Sequence, residues 1–258
     1  CQRVMGAELD AAVAFEAELL SDLEGRAERT PQIAAIRKQL PITALECELL
    51  STLENEQVVV ISGGTGSGKT TQIPQFILDD AIRRGNGSGC NVIVTQPRRI
   101  AATSVAERVA EERGEHVGKS VGYRVRMQSK RPRDAGTIDF CTTGVLLRQL
   151  QSDPTLEGIN YVIVDEVHER DINTDFLLLL IKDVLKRRPD LKLILMSATL
   201  DAKSFADYFS GAPLVEVPSA TRYPVKEFYL EDLPAILGDR SAFQVLFLSR
   251  ILFARGWH

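Results

Sequence analysis

The sequence predicts an α/β fold, with a mostly parallel sheet flanked by helices. Short β-branched apolar runs alternate along the chain with stretches of helical periodicity, which is the pattern of strand–helix–strand units. The runs are nearly continuous rather than alternating, as expected for strands that helices cover on both faces. Five runs carry the prediction, at residues 58–61, 92–95, 138–142, 161–164 and 191–196.

Helical candidates lie between or after these strands and have the period of 3.6 residues that one buried face requires. They occupy residues 69–84, 100–112, 145–151, 175–188 and 202–209. Upstream, residues 1–56 show a partial helical period that Pro31 and Pro41 interrupt. We therefore expect a helical N-terminal extension before the α/β domain.

Composition suits a globular protein, with 44% hydrophobic and 26% charged residues in a chain of 258. No stretch approaches the roughly 20 apolar residues that span a bilayer, so no membrane partner is expected. Cysteines at positions 1, 47, 90 and 141 lack zinc-ligand spacing. They predict reduced thiols in an intracellular protein, of the nucleus or cytoplasm.

The net charge of −4 hides an asymmetry along the chain. Residues 1–56 contain 11 acidic and 5 basic side chains, whereas residues 91–133 contain 10 basic and 4 acidic ones. Charge alone favours two solvated faces of opposite sign. The alternative is a basic face suited to phosphates beside an acidic extension.

Polar residues follow each predicted strand, and ligands bind at the carboxyl ends of strands in such sheets. One of these segments, residues 63–70, fits the pattern G-x-x-x-x-G-K-[ST]. It comprises Gly63, Gly64, Thr65, Gly66, Ser67, Gly68, Lys69 and Thr70. Glycines let backbone N–H groups curl around a phosphate, while the lysine reaches the β- and γ-phosphates and the threonine hydroxyl ligates Mg²⁺. The segment predicts a site for ATP or another nucleoside triphosphate.

Two carboxylates, Asp165 and Glu166, follow the buried run at residues 161–164. A carboxylate at that place holds Mg²⁺ in nucleotide hydrolases of this kind, and its neighbour can polarise the attacking water. Kinases, GTPases and helicases share these features, so residues further along the chain must discriminate between them.

The downstream motifs resemble the DEAH-box (DEAH/RHA) helicases of superfamily two. The signature D-E-V-H-E-R lies at residues 165–170, and T-Q-P-R-R-I-A-A at 95–102 resembles motif Ia. Residues 141–148, C-T-T-G-V-L-L-R, resemble motif Ib, and S-A-T at 197–199 resembles motif III. With the phosphate-binding loop, five motifs occur in the family's order over residues 40–230.

The resemblance implies roles for the matching positions. Lys69 and Thr70 would bind phosphate and magnesium, Asp165 would hold magnesium, and Glu166 would be the catalytic carboxylate. His168 would link the nucleotide site to motif III, where Ser197 and Thr199 would couple hydrolysis to domain movement. Arg108 would stack on adenine. The RNA backbone path would be lined by Arg98, Arg99, Thr142 and Thr143.

Two positions depart from the family pattern: Val167 replaces the alanine of the DEAH signature, and Gly64 replaces a usual glutamate. The resemblance also implies a second RecA-like domain with an arginine-rich motif, and we find no such motif after Leu230. We therefore expect a truncated chain.

The predicted organisation is a helical extension at 1–56, a RecA-like P-loop NTPase domain at 57–230 and a tail at 231–258. The predicted function is the ATP-binding domain of an ATP-dependent RNA helicase that couples hydrolysis to translocation and unwinding. The alternative is a catalytically deficient fragment that binds nucleotide or RNA. An unrelated P-loop kinase or GTPase is disfavoured by the five motifs.

Overall fold

A computed structural model describes residues 2–198 and 201–218, together with residues 226, 228, 229 and 232. Its helices are α1 (Gln2–Glu24), α2 (Arg26–Arg29), α3 (Pro31–Lys38), α4 (Glu46–Asn55), α5 (Lys69–Arg83), α6 (Arg99–Glu112), α7 (Thr143–Ser152), α8 (Ile172–Arg187) and α9 (Ala202–Tyr208). Its strands are β1 (Val58–Ser62), β2 (Asn91–Gln96), β3 (Val121–Val125), β4 (Gln128–Lys130), β5 (Thr137–Thr142), β6 (Tyr161–Val164), β7 (Lys192–Ser197) and β8 (Leu214–Glu216). Short 3₁₀ helices occupy Pro41–Leu45 and Val167–Glu169.

The described strands form one sheet of eight, in the order β4-β3-β5-β2-β6-β7-β1-β8. Every neighbouring pair is parallel except β3 and β4, which form an antiparallel hairpin at one edge. The α/β, mostly parallel fold predicted from the sequence is therefore confirmed. Strands β2, β6, β7 and β1 are consecutive neighbours, so their carboxyl ends share one stretch of the sheet edge.

Helices cover both faces of the sheet and divide the core into two clusters. In β1, Val59 and Ile61 join the cluster that includes residues of α5 and α6, whereas Val60 joins the cluster that includes residues of α7, α8 and α9. Successive residues of a strand point to opposite faces, which explains this alternation. Continuous apolar runs follow from burial on both faces.

The predicted helical N-terminal segment is present as α1 to α4. It packs closely on the α/β layers, because Leu19, Ile42, Leu49 and Leu53 are almost fully buried in the core cluster of α5 and α6. Residues 1–219 form one compact unit. The boundary at residue 56 stays a prediction.

The sequence pattern missed three strands. Strand β3 contains Gly122 and Arg124, β4 is exposed throughout, and β8 is only three residues long. Helix α8 also begins earlier than predicted, because the side chain of Asp171 accepts a hydrogen bond from the backbone N–H of Asn173 at 3.1 Å and caps the helix.

A second compact unit comprises residues 220–258, where the structure describes four residues. The backbone N–H of Tyr229 donates to the carboxylate of Asp232 at 2.8 Å, and the N–H of Asp232 donates to the carbonyl of Tyr229 at 2.9 Å. The predicted boundary at residue 230 stays a prediction. Across the described part of the chain, no helix is both long and apolar enough to cross a membrane.

Candidate functional site

The candidate site lies at the carboxyl ends of the four consecutive strands β2, β6, β7 and β1. Gln96 ends β2, Asp165 follows β6, Ser197 ends β7, and the glycine-rich loop follows β1. The backbone N–H of Gly63 donates to the carbonyl of Ser197 at 3.1 Å and joins the loop to β7. Sheet topology therefore brings together segments that lie more than 100 residues apart in the sequence.

The glycine-rich loop leads from β1 directly into the first turn of α5. Gly68 caps that helix with φ +93°, a left-handed conformation that side-chain-bearing residues rarely adopt. Gly64 is different, because a Cβ there would meet nothing within 4 Å. The glycine that departs from the family pattern at position 64 is therefore not required by packing.

Lys69 lies at the N-terminus of α5 and is nearly buried. Its ammonium donates to the carbonyls of Gly63 and Gly64, the latter at 3.0 Å, and lies 3.3 Å from Ser67 Oγ. Burial lowers the pKa of Lys69, while the nearby Asp165 and Glu166 act in the opposite direction. A partly desolvated cation surrounded by neutral loop oxygens is a favourable partner for a polyanion.

Asp165 is buried and receives hydrogen bonds from two different elements. The Thr70 hydroxyl of α5 and the Gln96 amide of β2 both donate to its Oδ2, each at 2.6 Å. Burial raises the pKa of Asp165, and these two hydrogen bonds oppose the rise. Gln96 lies within residues 95–102, which resemble motif Ia, but no role for this glutamine was predicted from the sequence.

Glu166 is half-buried and has φ 54°, which is uncommon for a residue other than glycine. This backbone turns the chain sharply after β6 and directs it into the 3₁₀ helix Val167–Glu169. Burial raises the pKa of Glu166, and the adjacent Asp165 raises it further. A carboxylate with a raised pKa is a stronger general base.

His168 connects this turn to the end of β7. Its Nδ1 accepts a hydrogen bond from the backbone N–H of Ala198 at 3.2 Å, and its Nε2 lies 3.4 Å from Glu166 Oε2. Ser197 is buried at the end of β7. Thr199, the other predicted residue of this motif, lies outside the described residues.

A cavity of about 320 Å³ opens beside the loop. Arg108 and Glu112 from α6, together with Glu166, line it alongside residues 65–71 of the loop and α5. Ile36 and Leu40, to which the sequence assigned no role, line it as well. Loop residues 65–70, the predicted catalytic carboxylate Glu166 and the predicted base-stacking Arg108 therefore border a single space, whereas Asp165 is not among the residues that line it. Within the described part of the chain, no group of three His, Cys, Asp or Glu side chains could hold a metal ion. This does not conflict with a magnesium site, because Mg²⁺ bound with a nucleotide commonly needs only one or two protein ligands.

The residues predicted to contact RNA lie at the ends of β2, which also borders the nucleotide site, and of its other neighbour β5. Arg98 and Arg99 are exposed at the start of α6 and border a groove of about 820 Å³. Arg98 is paired with Glu169 at 3.2 Å. Thr142 caps α7, and Thr143 begins that helix with only 4% of its surface exposed. Thr143 is therefore largely buried, whereas Thr142 is half-buried.

The basic surplus of residues 91–133 is only partly a surface feature. Arg113 is buried against Asp79 at 2.8 Å, and Arg124 pairs with the buried Asp139. Ionic partners inside the fold neutralise these two arginines. Residues 91–133 are therefore neither wholly a solvated basic face nor wholly a basic face that could bind phosphates.

Comparison with known proteins places these motifs in a family. The family model for DEAD/DEAH box helicases matches residues 43–208. The chain is 56% identical to the ATP-dependent RNA helicase DHX30 of Gallus gallus over 199 residues, which cover 77% of this chain and 16% of that protein. It is 48% identical to the ATP-dependent DNA/RNA helicase DHX36 of Bos taurus over 223 residues, covering 85% of this chain and 22% of that protein.

A plant protein, the DExH-box ATP-dependent RNA helicase DExH3 of Arabidopsis thaliana, is 55% identical over 209 residues, which cover 81% of this chain and 17% of that protein. The chain thus spans about a fifth of the length of the curated relatives it matches. The match to the family model extends over more than half of the chain and includes the loop, the D-E-V-H segment and the strands that bring them together. The chain belongs to the DEAD/DEAH box helicase family.

Proposed function

We propose that residues 57–230 are the ATP-binding domain of an ATP-dependent RNA helicase, which couples ATP hydrolysis to translocation along RNA and to unwinding. The observation that carries the proposal is the convergence of Thr70 and Gln96 on one oxygen of Asp165, next to the buried ammonium of Lys69. A phosphate-binding lysine, a hydroxyl and a buried carboxylate are the groups that nucleotide hydrolysis requires at one place.

Magnesium would be held by the Thr70 hydroxyl and the Asp165 carboxylate, which already face each other at 2.6 Å. The fit rests on the chemistry of these donors, since hard oxygen ligands are those that Mg²⁺ prefers. When bound, the ion would neutralise negative charge on the phosphates. The loop from Gly63 to Lys69 would bind the β- and γ-phosphates of the substrate through its N–H groups and ammonium.

Glu166 would accept a proton from the attacking water. Its raised pKa supports this role, because a more basic carboxylate takes the proton more readily. His168 would link Glu166 to the motif at the end of β7, because its ring contacts both the Glu166 carboxylate and the backbone N–H of Ala198. Ser197 and Thr199 would couple ATP hydrolysis at this site to the movement of a second RecA-like domain.

RNA would cross the ends of β2 and β5 and contact the domain through its phosphates. Exposed Arg98 and Arg99 would supply charge, and Thr142 and Thr143 would supply the N-terminus of α7. Phosphate contacts position a strand but carry no sequence information. The printed names of the relatives, RNA helicase and DNA/RNA helicase, support a nucleic-acid substrate. We expect the protein to act in the nucleus or cytoplasm.

Calorimetric titration with Mg-ATP tests the nucleotide site. Lys69→Ala is expected to weaken binding about tenfold or more, because a charge-assisted contact contributes at least ~1.5 kcal/mol. Thr70→Val should weaken binding in the presence of Mg²⁺ and leave the affinity in EDTA unchanged.

Lys203→Ala is the matched control, because Lys203 is an exposed lysine at the start of another helix, α9. Equal affinity of the wild type and Lys69→Ala for Mg-ATP would defeat the assignment of the loop. The alternative function, nucleotide or RNA binding without catalysis, predicts the same binding results. A measurement of ATP hydrolysis distinguishes the helicase function from binding alone.

A further inference from the structure

Glu112, at the end of α6, is a buried carboxylate that receives hydrogen bonds from several elements. Only 3% of its surface is exposed. Gln72 and Gln75 of α5 each donate to its Oε2 at 2.8 Å, and Arg108 Nε donates to its Oε1 at 3.0 Å. A buried charge needs such compensation, so the cluster stabilises one arrangement of its donors.

The N-terminal segment contributes a further donor through Arg37 of α3. Arg37 Nε donates to Gln72 Oε1 at 2.6 Å and lies 3.7 Å from Glu112 Oε2. Gln72 is thereby held between Arg37 and Glu112. A hydrogen-bonded path therefore runs from α3, through the helix that follows the glycine-rich loop, to α6.

Arg108 is the exposed member of this cluster at the nucleotide cavity, which the buried Glu112 also lines. Its side chain is 42% exposed, and a long exposed arginine samples many rotamers unless a partner fixes it. Glu112 provides a buried partner from within the fold. Glu111 also contacts Arg108, at 3.2 Å, but that carboxylate is 61% exposed, so solvent weakens the pair.

The segment of residues 36–42 contributes two apolar side chains to another wall of the same cavity. Ile36 and Leu40 line it, and Ile36 remains 40% exposed. The backbone N–H of Ile42 donates to the carbonyl of Ser67 at 3.2 Å. A Cβ on Gly68 would lie 3.0 Å from both Leu40 Cδ1 and Ile42 Cγ2. This segment therefore contacts the glycine-rich loop directly.

We propose that Glu112 is a positioning residue that holds the guanidinium of Arg108 against the base of the bound nucleotide, and that Ile36 and Leu40 form an apolar wall facing that base. The proposal rests on the proposed function, since it concerns the nucleoside part of the same site. It assigns the N-terminal segment a part in nucleotide binding. Phosphate binding by the loop is a separate contribution.

The test compares Mg-ATP with Mg-tripolyphosphate, which has the phosphates but no nucleoside, by calorimetry on the 258-residue chain. Glu112→Gln is expected to weaken Mg-ATP binding about fivefold, the contribution of one cation–π contact, and to leave tripolyphosphate affinity unchanged. Arg108→Ala should have the same effect, and the double variant should be no weaker than either single one. Glu111→Gln, which removes the same charge from the exposed side of Arg108, should bind both ligands like the wild type.

Ile36→Ser provides an independent test that leaves the buried cluster intact, with Val13→Ser as its control, because Val13 is 63% exposed on α1. Ile36→Ser should weaken Mg-ATP binding about threefold, from the loss of apolar contact, and leave tripolyphosphate affinity unchanged. Unchanged Mg-ATP affinity in both Glu112→Gln and Ile36→Ser would overturn the inference. So would equal weakening of both ligands, which marks a merely structural role. A wild-type chain that binds neither ligand would instead overturn the proposed function, and the inference with it.

Discussion

The imidazole of His168 accepts a hydrogen bond at Nδ1 from the backbone N–H of Ala198, at 3.2 Å. An imidazole that accepts at Nδ1 carries its proton on Nε2, on the side where Glu166 Oε2 lies 3.4 Å away. The one ring therefore contacts both the proposed catalytic carboxylate after β6 and the segment after β7. A movement of the segment after β7 would therefore shift His168 and alter its contact with the Glu166 carboxylate.

Replacing His168 should uncouple hydrolysis from RNA while sparing nucleotide binding. In the chain joined to a relative's second RecA-like domain, His168→Ala is expected to lower RNA-stimulated ATP turnover at least about tenfold, the size of a general-base positioning effect. Mg-ATP affinity should stay within about twofold, since His168 does not line the cavity. Steady-state turnover with and without RNA, together with calorimetry, measures both quantities.

His116→Ala is the matched control, because His116 is exposed beyond α6 and outside the site. A His168→Ala protein that keeps full RNA stimulation would contradict the assigned coupling.

RNA affinity should depend on salt through the exposed arginines at the start of α6. If Arg98, Arg99 and the N-terminus of α7 neutralise three phosphates, log affinity should fall with log salt at a slope near −2, at roughly −0.7 per contact. Removing both arginines should flatten the slope by about 1.4 for every RNA sequence alike. Fluorescence anisotropy with homopolymeric and mixed single strands measures the slopes.

The adjacent exposed pair Lys186 and Arg187 on α8 offers a control double substitution with the same change in charge. An affinity that does not vary with salt, or a base preference that disappears with Arg98 and Arg99, would count against phosphate contacts.

Stability should depend on pH through Asp79 of α5, which lies between two arginines. Arg26 donates to both of its oxygens and Arg113 donates to Oδ1 at 2.8 Å. Burial alone would raise the pKa of Asp79, but the charges of Arg113 and Arg26 lower it from 3.8 to about 2. Because the folded pKa is depressed, the carboxylate stabilises the fold above about pH 4 by about 2 kcal/mol, and this stabilisation disappears as the pH falls from about 4 to about 2.

Asp79→Asn should therefore lower the free energy of unfolding at pH 7 by about 3 kcal/mol, because it leaves two buried guanidinium groups without a charged partner. The wild type should lose about 1 kcal/mol more than the variant between pH 7 and pH 3. Urea denaturation at pH 7 and pH 3 measures the free energy of unfolding of both proteins. Asp80→Asn, which removes a partly exposed ion pair with Arg84, should change stability by less than about 0.5 kcal/mol. A similar loss in both variants would refute the role of Asp79.

Local patterns in the sequence were sufficient for the strands that are buried on both faces and for the glycine-rich loop. The five predicted strands are all present within one or two residues of the expected limits, because continuous apolar runs have few other stable placements. Strand β3 is largely buried, but Gly122 and Arg124 interrupt its apolar run. Strands β4 and β8 are three residues long and lie at the two edges of the sheet, where exposure removes that signal.

Contacts between distant segments could not be predicted, because they depend on strand order and on how helices dock. Gln96 reaches Asp165 only because β2 and β6 are neighbours in the sheet. The cluster around Glu112 likewise joins three helices, with Arg37 lying 35 residues before Gln72. Gln72 lies outside the five motifs, and the motif that contains Gln96 does not by itself show which strand lies beside it.

ATP turnover should require more than the residues of this domain. Asp165 and Glu166 can hold magnesium and water, but the charge that develops on the transferring phosphoryl group needs a cation beside it. Arg108, which lines the cavity, is held by Glu112 at the nucleoside side in our proposal. Arginines supplied by another domain contribute roughly 10³ to 10⁵ in rate in nucleotide hydrolases.

The 258-residue chain is therefore expected to bind Mg-ATP yet hydrolyse it at no more than about a thousandth of the rate of a two-domain protein. Joining a relative's second RecA-like domain after Leu230 should restore RNA-stimulated hydrolysis, and Glu166→Gln should abolish it again without loss of Mg-ATP binding, because the amide cannot accept the proton from water. Glu157→Gln serves as the control, because Glu157 is an exposed carboxylate that does not line the cavity. Phosphate release with and without RNA measures each rate. A two-domain protein that binds nucleotide and RNA but never hydrolyses ATP would favour the binding-only alternative, and rapid RNA-stimulated hydrolysis by the monomeric 258-residue chain would show that the required cation lies within it.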